Sequence, residues 1–239
     1  MTAQLQTFDL DPTLGAPVLD NAAWESLNGV HSRFAIRIGQ AARYQPEVAG
    51  FVAIADGTDE KSWHDLAQLI GPGATVHLSG DDLRPPVGWT SAVGGQGVQL
   101  INVSLDTRVD PEAVELGAAD VPEILDLVAR TKPGPFAPRT IELGRYLGIR
   151  SEGKLVALAG ERLQPPGWTE ISAVCTDPDF RGRGLATRLV RSVAAGIIAR
   201  GDRALLHAVS TNSNAIRLYE SIGFRARRVN TFSAFTSPS

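Results

Sequence analysis

The segment VCTDPDFRGRGLATRLV, residues 174–190, constrains this chain more than any other. A β-prone run stops at Asp177-Pro178, glycines follow at 182 and 184, and an amphipathic stretch opens at Leu185. That order predicts a strand, a tight turn and a helix, with glycine supplying backbone conformations that other residues resist. The first N–H groups of a helix lack intrahelical acceptors, and the macrodipole adds positive charge there. A turn without bulky Cβ atoms lets a phosphate approach those groups. Arg181, Arg183 and Arg188 add screening charge for a pyrophosphate.

Two familiar phosphate loops are excluded. A P-loop requires Gly-Lys-Ser/Thr, and this turn has no lysine. A dinucleotide fingerprint would place its third glycine at Thr187, and Asp202 precedes the next strand instead of ending it. The pattern Gln/Arg-x-x-Gly-x-Gly/Ala is satisfied by Arg181, Gly184 and Ala186. Here the sequence resembles the GNAT superfamily of acyl-CoA-dependent N-acyltransferases. TNSNAIRLYESIGF, downstream, is similar to that family's Asn-to-Tyr segment. Asn212 and Tyr219 are seven apart and Gly223-Phe224 follow, although the expected alanine is shifted. The resemblance covers about residues 111–235.

The resemblance implies a V-shaped cleft between the fourth and fifth strands of that unit, with acetyl-CoA as cosubstrate and no metal. Val174, Cys175 and Thr176 would pair their backbone with the pantetheine arm. Gly182, Arg183, Gly184, Leu185, Ala186 and Thr187 would hold the pyrophosphate through N–H groups. Asn212 would contact the cofactor near its cysteamine end, and Tyr219 would protonate the departing sulphur. For the base, Glu170 lies where one branch of the family carries a glutamate, and His207 where another carries its base. Both lie on strands whose alternation lets them border the cleft. Glu170 paired with Arg162, a core histidine at 207 and a water-relayed proton are the competing readings. Cys175 alternates to the face away from Glu170 and reads as packing.

The remaining chain predicts an α+β fold: a mixed, mostly antiparallel sheet with flanking helices, preceded by a smaller α/β N-terminal domain. The boundary is expected at 1–110 and 111–239, with the first unit read as an unrelated cap or a degenerate copy of the second. Charge supports the division: residues 1–110 hold 6 Lys/Arg against 13 Asp/Glu, and residues 111–239 hold 17 against 13. The C-terminal unit therefore suits an anionic ligand better. Asp120 and Glu123 form a capping-box pattern with Pro122 in the first turn. KPGPF, at 132–136, reads as a loop that lines the acceptor pocket together with the N-terminal unit. FRARRVNTFSAF reads as a closing strand pair, with Arg225 and Arg227 both solvated.

A lone cysteine excludes an internal disulfide and a cysteine-based zinc cluster. Residues 1–30 lack a basic leader followed by an apolar block, and no run is long enough to span a membrane. A cytoplasmic protein without membrane or nucleic-acid partners is expected, and a homodimer stays open. The expected activity is direct transfer of acetyl from acetyl-CoA to a primary amine, on a small molecule or a peptide. A longer-chain acyltransferase of the glycine N-acyltransferase type, or a non-catalytic CoA-binding regulatory module, are the alternatives.

Overall fold

The computed structural model describes residues 8–11, 14–80 and 82–239; the leader reading for residues 1–7 falls outside them. In chain order come α1 (Ala22–Asn28), β1 (Ala35–Ile38), β2 (Ala41–Tyr44), β3 (Val52–Ile54), α2 (Glu60–Ile70), β4 (Thr75–Ser79), β5 (Thr90–Asn102) and β6 (Val114–Leu116). Then follow α3 (Val121–Thr131), β7 (Tyr146–Ser151), β8 (Lys154–Glu161), β9 (Trp168–Thr176), α4 (Leu185–Ala199), β10 (Arg203–Val209), α5 (Ser213–Ser221) and β11 (Phe224–Thr236). Three antiparallel strands, β1-β2-β3, form a small sheet. The main sheet has eight strands in the order β4-β11-β5-β10-β9-β8-β7-β6. Its one parallel pair is β9 with β10, so the α+β, mostly antiparallel expectation holds.

The division at residue 110 needs correction. β4 and β5 come from the N-terminal half, yet β5 lies between β10 and β11 in the main sheet. The alternating apolar residues of β5 explain this: Val98 and Leu100 pack with α4 on one face, and Ile101 packs with Leu19 and Trp168 on the other. The N-terminal unit is thus confined to the small sheet with α1 and α2. Buried His31 fastens it to the loop before β7, with Nδ1 2.9 Å from the Tyr44 hydroxyl and Nε2 3.0 Å from the Leu143 carbonyl. Burial lowers the His31 pKa to about 4, so the ring stays neutral in this setting.

α4 forms as its spacing predicts. Leu185, Leu189, Val193 and Ile197 are buried against β7, β8 and β9, each burial being worth roughly 1.5–3 kcal/mol. Gly201, at φ +91°, follows the last turn and stops the helix. Two local expectations fail. Asp120 does not cap α3; its carboxylate accepts from Gly117 N–H at 2.8 Å, and Arg150 bridges Asp120 (2.7 Å) and Glu123 (2.6 Å). Residues 224–236 form one long strand with a bulge between Ala226 and Arg228, not a pair. The bulge breaks the alternation, so Arg225 is exposed while Arg227 turns inward to Gln99 and the Leu14 carbonyl.

Candidate active site

β9 and β10 pair only as far as Ile171 and Leu206. Beyond that point β9 continues to Thr176 paired with β8 and unpaired on its β10 side, while His207, Ala208 and Val209 pair with β5 on the other side. The sheet therefore opens at its one parallel pair. β9 also carries a bulge at this level, Ala173 and Val174 facing the single Ala159 of β8. Ala173 has φ +55°, a left-handed conformation that costs a non-glycine residue about 1 kcal/mol. Such a bulge leaves backbone groups out of the ladder and redirects them. Val174 and Thr176 are half-buried, and Cys175 is buried in the cluster beneath α3, where burial pushes its thiol up to about 11. Its side chain is packing, as expected.

The turn from β9 to α4 is held from below. Asp177 accepts from Asp179 N–H at 3.1 Å, pairs with Arg130 of α3 and receives Lys154 of β8 at 3.2 Å. With these bonds, that to Arg130 foremost, the Asp177 carboxyl is held down at about 2. Gly182 and Gly184 have φ +75° and +73°, and a Cβ at either would meet nothing within 4 Å. The glycines are required by backbone conformation, and the space beside them is open. Among the described residues, no group accepts from the N–H of residues 182–187. Arg181 and Arg183 bond only carbonyls, of Thr176 (3.4 Å) and Asp179 (3.2 Å), and keep their charge at the turn. Arg188 does not serve there: it is tied to Asp110 (2.5 and 2.8 Å) and to Glu112 (2.6 Å). The residues present fit an anion with several acceptor oxygens.

Asn212 caps α5, its Oδ1 accepting from Ala215 N–H at 3.2 Å. Seven residues on, Tyr219 is buried on the α4 side of the sheet, edge-on to Phe224 with ring centroids 6.2 Å apart. Its hydroxyl has no hydrogen-bond partner among the described residues, and burial pushes its pKa up to about 12. It is therefore a phenol that keeps its proton at neutral pH.

Glu170 and His207 lie together on the opposite face. Glu170 is fully buried; it accepts from Arg162 Nε at 2.8 Å, Arg162 Nη2 at 2.6 Å and Leu163 N–H at 3.3 Å. His207 Nδ1 lies 2.7 Å from its Oε1. Burial alone would raise this carboxyl, but Arg162 and His207 outweigh it and hold Glu170 well below the usual carboxylate range. An ionised carboxylate only accepts, so His207 Nδ1 carries a proton and donates it to Glu170. Two amides approach Nε2, Gln99 at 3.2 Å and Asn230 at 3.4 Å. Gln99 is itself fixed by Arg227 (2.9 Å) and the Leu19 carbonyl (3.0 Å). Glu170 thus has its acceptor positions filled, whereas His207 Nε2 is met only by these two long amide contacts on its cavity side.

Both residues line a cavity of about 540 Å³ between the N-terminal unit and the main sheet. The KPGPF loop contributes Pro135 to it. The glycine turn and Tyr219 do not reach this cavity; they lie on the α4 side of the opening. Sequence reasoning missed the Ala173 bulge, the Asp177 anchor and the Gln99–Asn230 pair. Only Asp177 had a local signal, the Asp-Pro-Asp turn.

A family model described as FR47-like protein matches residues 146–233. N-alpha-acetyltransferase RimI of Mycobacterium tuberculosis is 36% identical over 130 residues, 48% of this chain and 81% of that protein. A crystal structure described as an acetyltransferase from the GNAT family, from Novosphingobium aromaticivorans, is 38% identical with a TM-score of 0.83. It matches 94% of this chain and 100% of its own. A GCN5-related N-acetyltransferase from Kribbella flavida shares the fold at 18% identity, with a TM-score of 0.58 over 91% of this chain and 94% of its own.

Proposed function

This chain belongs to the GNAT family of acetyltransferases, and from that premise we propose that it moves an acetyl group from acetyl-CoA directly to a primary amine. The observation that carries the reading is the opening between β9 and β10. It has an anion-binding turn and a buried phenol on one face, and a histidine-lined cavity on the other. Donor and acceptor would meet through the sheet.

When bound, acetyl-CoA supplies an activated thioester. The N–H groups of residues 182–187, with Arg181 and Arg183, hold its pyrophosphate. The edge of Val174, Cys175 and Thr176 that faces β10 orients its arm, and Asn212, at the start of α5, offers its amide N–H. Backbone N–H groups at the Ala173 bulge offset negative charge growing on the acyl oxygen. His207 Nε2 takes a proton from the incoming amine, with Glu170 fixing the tautomer through Nδ1. The Tyr219 hydroxyl gives a proton to the departing sulphur.

The test is thiol release from acetyl-CoA in the presence of a pool of primary amines, with mass detection of the acetylated product. Wild-type protein should release thiol only when an amine is supplied. Tyr219→Phe should lose on the order of 10²-fold in kcat with acetyl-CoA affinity retained. Undiminished turnover in Tyr219→Phe would reduce this residue to packing.

A further inference from the structure

We propose that the acceptor is a compact amine with an apolar body and no carboxylate, of the arylalkylamine or branched alkylamine kind. The inference rests on the acetyl-transfer reading above and deepens it. The cavity's volume of about 540 Å³ falls within the roughly 300–1,000 Å³ usual for small-molecule sites. Phe51, Ala53, Ile54, Leu78, Leu83 and Phe232 supply its apolar lining. Most of its wall comes from residues 19–83, outside the stretch matched by the family model.

The polar groups discriminate by charge. Two guanidinium groups line the cavity, and each is already matched. Arg162 makes its two bonds to Glu170, and Arg228 pairs with Asp20 at 2.9 Å. No lysine lines it among the described residues. A ligand carboxylate would thus be buried without a cation, at a cost of several kcal/mol. Of the exposed carboxylates that line it, Asp20 is held by Arg227 (2.8 Å) and Arg228 (2.9 Å) and Asp82 by Arg84 (2.8 Å), whereas Asp56 accepts from Thr58 and keeps its charge. Asp56 attracts an ammonium ion and repels an anion. A peptide would have to bury part of its backbone N–H and C=O groups against Phe51, Ile54, Leu78, Leu83 and Phe232, which offer them no partners. An amine whose remaining atoms are hydrocarbon meets neither penalty.

The experiment uses the full chain, saturating acetyl-CoA and four acceptors: 2-phenylethylamine, 3-methylbutylamine, L-phenylalanine and the dipeptide Phe-Ala. The expected result is a kcat/KM at least tenfold higher for the two simple amines than for the amino acid and the dipeptide. Equal or better turnover of phenylalanine or Phe-Ala overturns the inference while leaving acetyl transfer intact. Should no acceptor turn over, acetyl transfer to this class fails, and calorimetric titration of the same compounds in the presence of CoA decides separately. Tighter binding of the simple amines supports the pocket assignment, and equal or absent binding ends it.

Discussion

At the scale of single residues, Glu170 and His207 divide one task between them. Glu170 already accepts from Arg162, Leu163 and His207, so it has no lone pair for an arriving proton. His207→Gln should therefore lower kcat/KM on the order of 10²-fold at neutral pH, with recovery at high pH where the amine arrives deprotonated. Glu170→Gln behaves differently, because it leaves the Arg162 guanidinium buried without its carboxylate. Breaking such a pair costs about 3–5 kcal/mol, readable by urea unfolding. The sign with pH follows from the lowered pKa of Glu170. Its stabilisation is complete above the unfolded value of about 4.3 and is lost as pH falls towards the folded one. The stability gap between wild type and Glu170→Gln should be flat from pH 8 to about 5 and narrow only below about 4. A gap that closes already at pH 6 would mean that another group titrates. The family resemblance marks both residues and strand alternation lets them border the cleft, but their contact could not be read, since 37 positions separate them and only the β9–β10 register joins them.

At the scale of elements, the β9–turn–α4 unit was legible because its determinants are local. Positive φ at Gly182 and Gly184, the helical stripe of α4 and its stop at Gly201 all depend on neighbours in sequence. The features missed depend on partners elsewhere. Glu123 is drawn from its capping role by Arg150 of β7, and Arg227 is turned inward by a bulge that only the pairing of β11 with β5 creates. No window of sequence contains those causes. The local unit also gives a separable test. Gly184→Asp combines backbone strain of about 1 kcal/mol with a carboxylate where phosphate is proposed to sit. It should weaken CoA binding at least tenfold, about 1.4 kcal/mol, by calorimetry. Gly184→Asn, which carries a comparable left-handed backbone cost and brings no charge, should retain more affinity. Equal losses in the two variants would show that shape, and not charge, governs the turn.

At the scale of the whole molecule, the sheet argues against a catalytic unit that starts at residue 111. β11 reaches β10 only through β5, so deleting residues 1–110 would separate the last strand from the rest of the sheet. It would also remove Val98 and Leu100 from the core shared with α4, and Ile101 from the opposite face. Each buried aliphatic side chain is worth roughly 1.5–3 kcal/mol, and a domain's net stability is only about 5–15 kcal/mol. Three such losses, with one edge of β10 and both edges of β11 newly unpaired, are enough to abolish folding. The composition shift near residue 110 misled because it follows charge, whereas the unit is defined by strand pairing across the chain. The fragment 111–239 should lack a cooperative thermal transition and dispersed amide resonances. The full chain should unfold in one transition, with CoA raising its midpoint. A fragment that folds and binds CoA would restore the boundary at 110 and make β5 an accessory strand.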